Sequence, residues 1–175
     1  MESAPSITAI RLESIRLVLE PLQTEHADEL APVLDDASLH RFIGREPLSV
    51  DELRARFDRQ TRGWSPDGRE RWLNWMVRQG ATDRAIGTVQ ATVTRREPAT
   101  VAELAWVIGS SFQRQGFAKE AVQLVAAWLR EQGVGCLRAH IHPRHDASMA
   151  VARSIGLRPT GVMVDGEIRW DSQGA

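Results

Sequence analysis

A short turn with one glycine holds the residues of this sequence whose types could bind a phosphate group. Residues 113–118 follow an apolar stretch and precede a segment with helical spacing. The amino end of a helix exposes unpaired amide donors and the positive end of the helix dipole, and both attract an anion. Gly116 would let the main chain approach a phosphate closely, and Arg114 and Lys119 add positive charge. Because such a turn also serves simply to connect a strand to a helix, its spacing alone leaves phosphate binding open.

Three neighbouring histidines suggest a second kind of chemistry. His140 and His142 alternate along a predicted strand and therefore share one face, and His145 follows just past its end. Clusters of this type can bind zinc. Two polar positions on one strand face explain the same pattern without a metal. We favour that explanation and predict no metal site.

A buried strand before the turn and a long helix after it must position these residues. Residues 101–108 are apolar enough for a buried strand, and residues 118–132 carry an apolar stripe at helical spacing. Gly133 ends this helix, and a further strand follows at 136–142. The turn is therefore expected at the junction of the central strand and the central helix.

The remaining elements predict an α/β domain with a mixed sheet. Thr24 is expected to cap a first helix, and Ser49 with Glu52 forms a capping box for a second. A last helix is expected at about 146–155, and residues 95–100 are predicted to form a loop. The other predicted strands are 15–20, 72–77, 85–94, 162–164 and 167–170, the last two being joined by an Asp165-Gly166 turn.

Length and composition describe an ordinary globular protein. The 175 residues fit one domain spanning 1–175, with residues 1–8 expected to be loose. The net charge of −1 argues against a nucleic-acid ligand, since proteins that bind a phosphate backbone usually carry a basic excess. No stretch of the sequence has the roughly 20 apolar residues that span a membrane. A single cysteine gives no sign of secretion, so we expect a cytoplasmic protein without a membrane partner.

The turn and its flanks resemble the GCN5-related N-acetyltransferases, the GNAT superfamily. Gln113, Gly116 and Ala118 match the family pattern Gln/Arg-x-x-Gly-x-Gly/Ala. Residues 143–157 are similar to a second family element, roughly Pro-x-Asn-x-x-Ser followed by a helix that ends in Gly-Phe or Gly-Leu. The resemblance covers about residues 10–170 and is closest to the branch that includes bacterial ribosomal-protein N-terminal acetyltransferases. It implies the GNAT fold, a mixed and mostly antiparallel sheet of about seven strands with about four helices, splayed between its central strands.

The resemblance implies a site for acetyl-CoA, the acyl donor. In the family the pantetheine arm lies along the central strand and the pyrophosphate lies on amides of the turn, while the two central strands splay to admit the molecule. His145 stands where relatives carry Asn, and its imidazole can still donate a hydrogen bond to a pantetheine carbonyl. The cofactor-binding residues implied for this sequence are Trp106, Val107, Ile108, Gln113, Arg114, Gln115, Gly116, Phe117, Ala118, Lys119, His145 and Ser148.

Three residues are expected to perform the acyl transfer. Glu103 lies on the central strand where relatives often carry a functional carboxylate, and we predict that it accepts the amine proton through water. The backbone amide of Val107 is the expected oxyanion donor. Ser148 matches the serine that some relatives of this branch are thought to use as the acid. The sequence has no tyrosine, and Ala152 occupies the place where many family members carry a tyrosine acid.

Several questions stay open at this point. The acceptor could be a protein N-terminus or a small-molecule amine, and the donor could be acetyl-CoA or succinyl-CoA. A non-catalytic acyl-CoA-binding module on the same fold is a second reading, because fold does not settle function. Glu103 could equally be a solvent-facing or salt-bridged carboxylate, and Ser148 an ordinary first-turn hydroxyl. Dimers are common in this branch, so a homodimer is also open.

Overall fold

The computed structural model describes residues 4–41 and 46–173, and its centre is one sheet. The strands run in the order β1-β2-β3-β4-β5-β6-β8-β7, and every pair is antiparallel except β5 with β6. The strands are β1 (Leu12–Glu13), β2 (Leu17–Pro21), β3 (Glu70–Gln79), β4 (Arg84–Arg96), β5 (Ala99–Ile108), β6 (Cys136–Ile141), β7 (Leu157–Val164) and β8 (Glu167–Ser172).

Helices cover the two faces of this sheet. The α-helices are α1 (His26–Leu34), α2 (Val50–Thr61), α3 (Phe117–Glu131) and α4 (Asp146–Ser154). The apolar stripe of α3 packs into the main core, where Trp75 meets Trp128 edge to face with ring centroids 5.6 Å apart. A smaller core, including Leu30 and Phe57, lies beneath α1 and α2. The predicted GNAT architecture is confirmed.

The structure corrects some local predictions. β1 adds a short strand that the sequence does not indicate. The expected loop at 95–100 is a tight hairpin, because Arg96 pairs with Ala99 and only two residues lie in the turn. Thr24 does not cap α1, whose N-cap is Glu25 without a side-chain hydrogen bond. The capping box at the start of α2 is confirmed, with both of its reciprocal hydrogen bonds present.

The two central strands part in the middle of the sheet. β5 and β6 are paired only from Val101 with Cys136 to Glu103 with Arg138. Beyond those pairs β5 continues beside β4, whereas β6 continues beside β8. A gap therefore opens between β5 and β6 and leads toward the start of α3, as the resemblance implied.

Candidate functional site

The turn before α3 has the backbone conformation that an anion-binding helix start requires. Gly116 is the N-cap of α3 with a φ of 80°, and Arg114 also has a positive φ of 62°. Residues 113–116 are exposed, while Phe117 is buried and anchors the helix start in the core. A positive φ is easy for glycine and strained for other residues, so Gly116 is the residue that suits this turn.

The amides of this turn point away from the protein's own acceptors. The Gln113 amide donates to Ser110 and the Glu120 amide donates to Gly116, at 3.3 and 3.0 Å. Between them, the backbone amides of residues 114–119 donate to no acceptor in the part of the chain that the structure describes. Because Gly116 has no side chain, nothing caps these donors. The arrangement can accept a diphosphate without displacing any protein group.

Arg16 contacts this turn, although no local pattern in the sequence indicates it. Its Nη1 donates to the Gln115 carbonyl at 2.8 Å, and its guanidinium lies 4.5 Å above the Phe117 ring. Nε of Arg16 and Oγ of Ser14 each donate to the Glu120 carboxylate at 2.7 Å. Burial opposes the ionisation of Glu120, but these hydrogen bonds outweigh it and lower the pKa of that carboxyl. The segment before β2 therefore fixes the first turn of α3.

Hydrogen bonds at the two ends of β5 show which way its backbone groups point. The Gly135 amide donates to the Thr100 carbonyl on the β6 side at 3.0 Å, and the Gly109 amide donates to the Ile86 carbonyl on the β4 side at 2.8 Å. Backbone groups alternate between the two sides of a strand. The even-numbered residues of β5 therefore direct their amides and carbonyls toward β6, and the odd-numbered residues direct theirs toward β4.

This alternation corrects the expected oxyanion donor. Past the point where the strands part, Leu104, Trp106 and Ile108 present backbone groups to the gap, and the Ile108 carbonyl accepts from Nε2 of Gln113 at 3.0 Å. Val107 directs its groups toward β4, with which it is paired. The Val107 amide therefore does not face the gap, and the amides of Trp106 and Ile108 are better placed.

Glu103 has a partner that the sequence analysis did not connect with it. Its Oε1 lies 3.0 Å from Nδ1 of His140, and the two side chains are 51% and 18% exposed. The contact forms because Glu103 and Arg138 are the last paired residues of the two strands, and His140 is the next residue of β6 on the same face. The pair stands on the sheet face opposite α3, at the point where the gap opens.

His145 and Ser148 are brought together at the start of α4. His145 is the N-cap, and its Nδ1 accepts from the Ser148 amide at 3.1 Å, while Nε2 lies 3.4 Å from the Ser148 hydroxyl. Burial lowers the pKa of His145, which favours the neutral ring that can accept a hydrogen bond. The residue that replaces the usual Asn is thus a helix cap beside the predicted acid.

Glu167 on β8 is a further candidate that sequence reasoning missed. Burial raises the pKa of Glu167, nearby His140 and His142 oppose this rise, and the carboxylate of Glu103 adds to it. A raised carboxyl pKa beside other titratable groups is found at many proton-transfer sites. The sequence predicts only that Glu167 lies in a hairpin. The residues that shift its pKa lie on or next to β5 and β6, far from it in the sequence, so local patterns do not reveal them.

Two further properties of the described residues bear on the site. Residues 4–41 and 46–173 contain no group of three or more His, Cys, Asp or Glu side chains that could hold a metal ion. His140 and His145, from the suggested zinc cluster, instead contact Glu103 and Ser148. No helix in the described ranges is long and apolar enough to cross a membrane.

Known structures share this fold. An acetyltransferase of the GNAT family from Bacillus anthracis has a TM-score of 0.73 at 15% identity, covering 93% of this chain and 96% of that one. The ribosomal-protein-S5-alanine acetyltransferase from Vibrio fischeri has a TM-score of 0.71 at 16% identity, covering 94% and 97%. The Microcin C7 self-immunity acetyltransferase MccE, in complex with acetyl-CoA and AMP, has a TM-score of 0.73 at 13% identity, covering 93% and 94%.

No curated protein matches this sequence significantly. Residues 16–158 match the family model described as an acetyltransferase (GNAT) domain. This match spans more than half of the chain and contains β5, the turn at Gly116 and the start of α4. The chain belongs to the GNAT acetyltransferase family.

Proposed function

We propose that this protein transfers an acetyl group from acetyl-CoA to an amine by direct attack of the amine on the thioester. The observation that carries the proposal is the run of amides at residues 114–119, which donate to no acceptor among residues 4–41 and 46–173 and lie at the end of the gap between β5 and β6. An anion bound to these amides would be held by fixed main-chain dipoles and by the helix dipole. The gap then offers the backbone of β5 to a ligand that extends from that anion.

The residues proposed to hold acetyl-CoA are those that the resemblance to the GNAT family implies. The pyrophosphate is assigned to the turn, and the pantetheine arm to the gap-facing edge of β5. His145 and Ser148 lie at the start of α4, the helix that follows β6. The residues assigned to acetyl-CoA are Trp106, Val107, Ile108, Gln113, Arg114, Gln115, Gly116, Phe117, Ala118, Lys119, His145 and Ser148.

The chemistry needs three groups. The amine must lose a proton before it can attack, since an alkylammonium with a pKa near 10 has no lone pair. We assign that step to the face that carries Glu103, and the support for the developing oxyanion to the amides of Trp106 or Ile108. Ser148 is assigned to protonate the departing thiolate, with the C–N bond forming as the C–S bond breaks.

The class of acceptor is the finer part of the proposal. The Vibrio fischeri protein is named for acetylating alanine of ribosomal protein S5, and this favours a protein N-terminus as the acceptor here. We assign the peptide end to the sheet face opposite α3. Thr92 and Glu103 are neighbours on this face, and Gln60 of α2 contacts Gln90 of β4 there at 3.2 Å. A small-molecule amine and a succinyl donor are the alternatives.

A panel of amines tests the proposed function. Purified protein is mixed with acetyl-CoA or succinyl-CoA and with N-terminal peptides, polyamines or aminoglycosides, and release of CoA is measured. Turnover with acetyl-CoA and at least one amine supports the proposal. Tight binding of CoA without turnover on any amine would instead favour a non-catalytic acyl-CoA-binding module. No binding of CoA at all would refute the assignment of the turn.

A further inference from the structure

The contact between Glu103 and His140 determines which nitrogen of the His140 ring carries the proton. An ionised carboxylate can only accept a hydrogen bond, so the 3.0 Å contact from Nδ1 to Oε1 requires the proton to be on Nδ1. In a neutral imidazole with a proton on Nδ1, Nε2 carries the lone pair. Nε2 of His140 has no partner in the part of the chain that the structure describes. The ring therefore presents an available base.

The location of this nitrogen suits a proton acceptor. His140 lies two residues beyond Arg138 on β6, where β5 and β6 separate. Its side chain is only 18% exposed, whereas that of Glu103 is 51% exposed. A partly buried imidazole supported by a carboxylate resembles the way an acid residue orients histidine in other acyl-transfer sites. The more exposed carboxylate is the outer member of the pair.

We propose that Nε2 of His140 takes the proton from the attacking amine and that Glu103 acts as a positioning residue, which rests on the proposed acyl transfer. One proton of the ammonium passes to Nε2, and the freed amine forms the C–N bond with the thioester carbonyl. The C–S bond then breaks, and a second proton of the nitrogen reaches the thiolate through Ser148 or water, which leaves a neutral amide and the free thiol of CoA. The imidazolium formed in this way is stabilised by the Glu103 carboxylate until it returns its proton to solvent.

The charges that face His140 are compatible with this role. Arg138 on the same strand is neutralised by Asp171 through hydrogen bonds of 2.7 and 2.9 Å. Arg169 lies opposite His140 on β8 and pairs with the same Asp171 at 3.4 Å. Glu103 contacts His140 directly, and Glu167 and His142 are titratable groups close to them. The two carboxyls favour a transient positive charge on the ring.

The first test needs no turnover. With histidine labelled in ¹⁵N, long-range proton–nitrogen correlation spectra report which ring nitrogen carries the proton in the neutral form. We expect the Nδ1–H form for His140 in the wild-type protein and loss of this preference in Glu103→Ala. His40→Gln is the matched control, because His40 lies outside the gap between β5 and β6, and it should leave the His140 signals unchanged. An Nε2–H form of His140 in the wild-type protein would overturn the proposal.

The second test is kinetic. General base catalysis contributes about 10²–10⁴-fold, so His140→Gln should lower kcat by at least about 10²-fold with little change in the KM for acetyl-CoA. Because the pair acts as a unit, the double variant with Glu103→Ala should be hardly slower than His140→Gln alone. His140→Ala should regain activity when imidazole is added. The pH profile of kcat/KM should lose one ionisation in His140→Gln, which a merely structural role would not explain.

Unchanged calorimetric affinity for CoA would establish that the cleft of His140→Gln is folded. A folded His140→Gln variant that turns over within a few-fold of the wild type would refute the role of His140. If the wild-type protein turns over no amine, the proposed function fails instead. The tautomer spectra still decide whether Glu103 fixes the ring.

Discussion

Replacing Gly116 by leucine should remove CoA binding without unfolding the protein. Gly116 has a φ of 80°, and a Cβ there would lie 3.3 Å from Nη2 of Arg16. A side chain at this N-cap stands in front of the amides of residues 117–119, and the left-handed backbone costs a non-glycine residue roughly 1–2 kcal/mol. The change therefore has two effects, one on stability and one on the ligand.

A matched variant separates these two effects. Gly133, just past the other end of α3, has a φ of 83°, and a Cβ there would meet nothing within 4 Å. Gly133→Leu should therefore cost a similar roughly 1–2 kcal/mol of stability while leaving the turn intact. Urea unfolding of both variants should give comparable losses, so any difference in CoA affinity arises from the turn.

The expected loss of affinity follows from the hydrogen bonds that a leucine would obstruct. A hydrogen bond to a charged group contributes about 1.5–3 kcal/mol, so losing two amide–phosphate bonds costs roughly 3–6 kcal/mol. This corresponds to about a 10²–10⁴-fold rise in the Kd for CoA, measured by isothermal titration calorimetry. If folded Gly116→Leu binds CoA as tightly as Gly133→Leu does, the amides at the head of α3 do not hold the pyrophosphate.

Other perturbations test separate parts of the structure. Ser148→Ala should lower kcat by about 10²-fold if its hydroxyl protonates the thiolate, and steady-state rates that stay near wild type would exclude that role. Ser49→Ala removes the capping box of α2 and should cost about 1 kcal/mol in urea unfolding, with CoA affinity unchanged. Burial lowers the pKa of His26 and of His145, so the unfolded chain binds more protons below about pH 6.5. Stability should be fully present above about pH 6.5 and fall as the pH drops further toward 5.5, by up to about 1.4 kcal/mol per pH unit for each histidine. His145→Asn should flatten this dependence, and an equally steep curve would contradict it.

The turn was predictable because its signal is local. About 30 consecutive residues contain Gly116, the apolar strand before it and the helix with an apolar stripe after it. The capping box at Ser49 was predictable for the same reason. Contacts within a few residues are encoded in composition and spacing, and the structure agrees with them.

Contacts between distant segments could not be predicted in this way. Arg16 reaches Gln115 and Glu120 across about a hundred residues, and nothing near Arg16 in the sequence indicates either partner. The pairing of Glu103 with His140 depends on the parallel register of β5 and β6, which no local pattern specifies. Register is therefore the information that the catalytic assignment lacked.

Some errors arose from misleading local signals. The loop predicted around Pro98 is a two-residue turn, because a proline in the turn itself removes no ladder hydrogen bond. β7 begins at Leu157, earlier than expected, since Pro159 and Gly161 lie at an irregularity in an edge strand. Backbone groups alternate between the two sides of β5, so the direction of the Val107 amide depends on which residues of β5 pair with β4. That register becomes known only from the structure.

Because β5 and β6 separate, the free energy of unfolding of the sheet should depend on whether a ligand occupies the gap between them. Trp106 and Ile108 present backbone groups that no neighbouring strand satisfies in the part of the chain that the structure describes, so this seam lacks cross-strand support over half of β5. A molecule that pairs with this edge would couple the two halves of the sheet, and at a hundredfold excess over its Kd it would add about 2.7 kcal/mol to the free energy of unfolding. Slower amide hydrogen exchange at Trp106 and Ile108 would accompany that gain. Thermal unfolding and hydrogen–deuterium exchange would therefore detect ligand binding even when no acceptor amine is present.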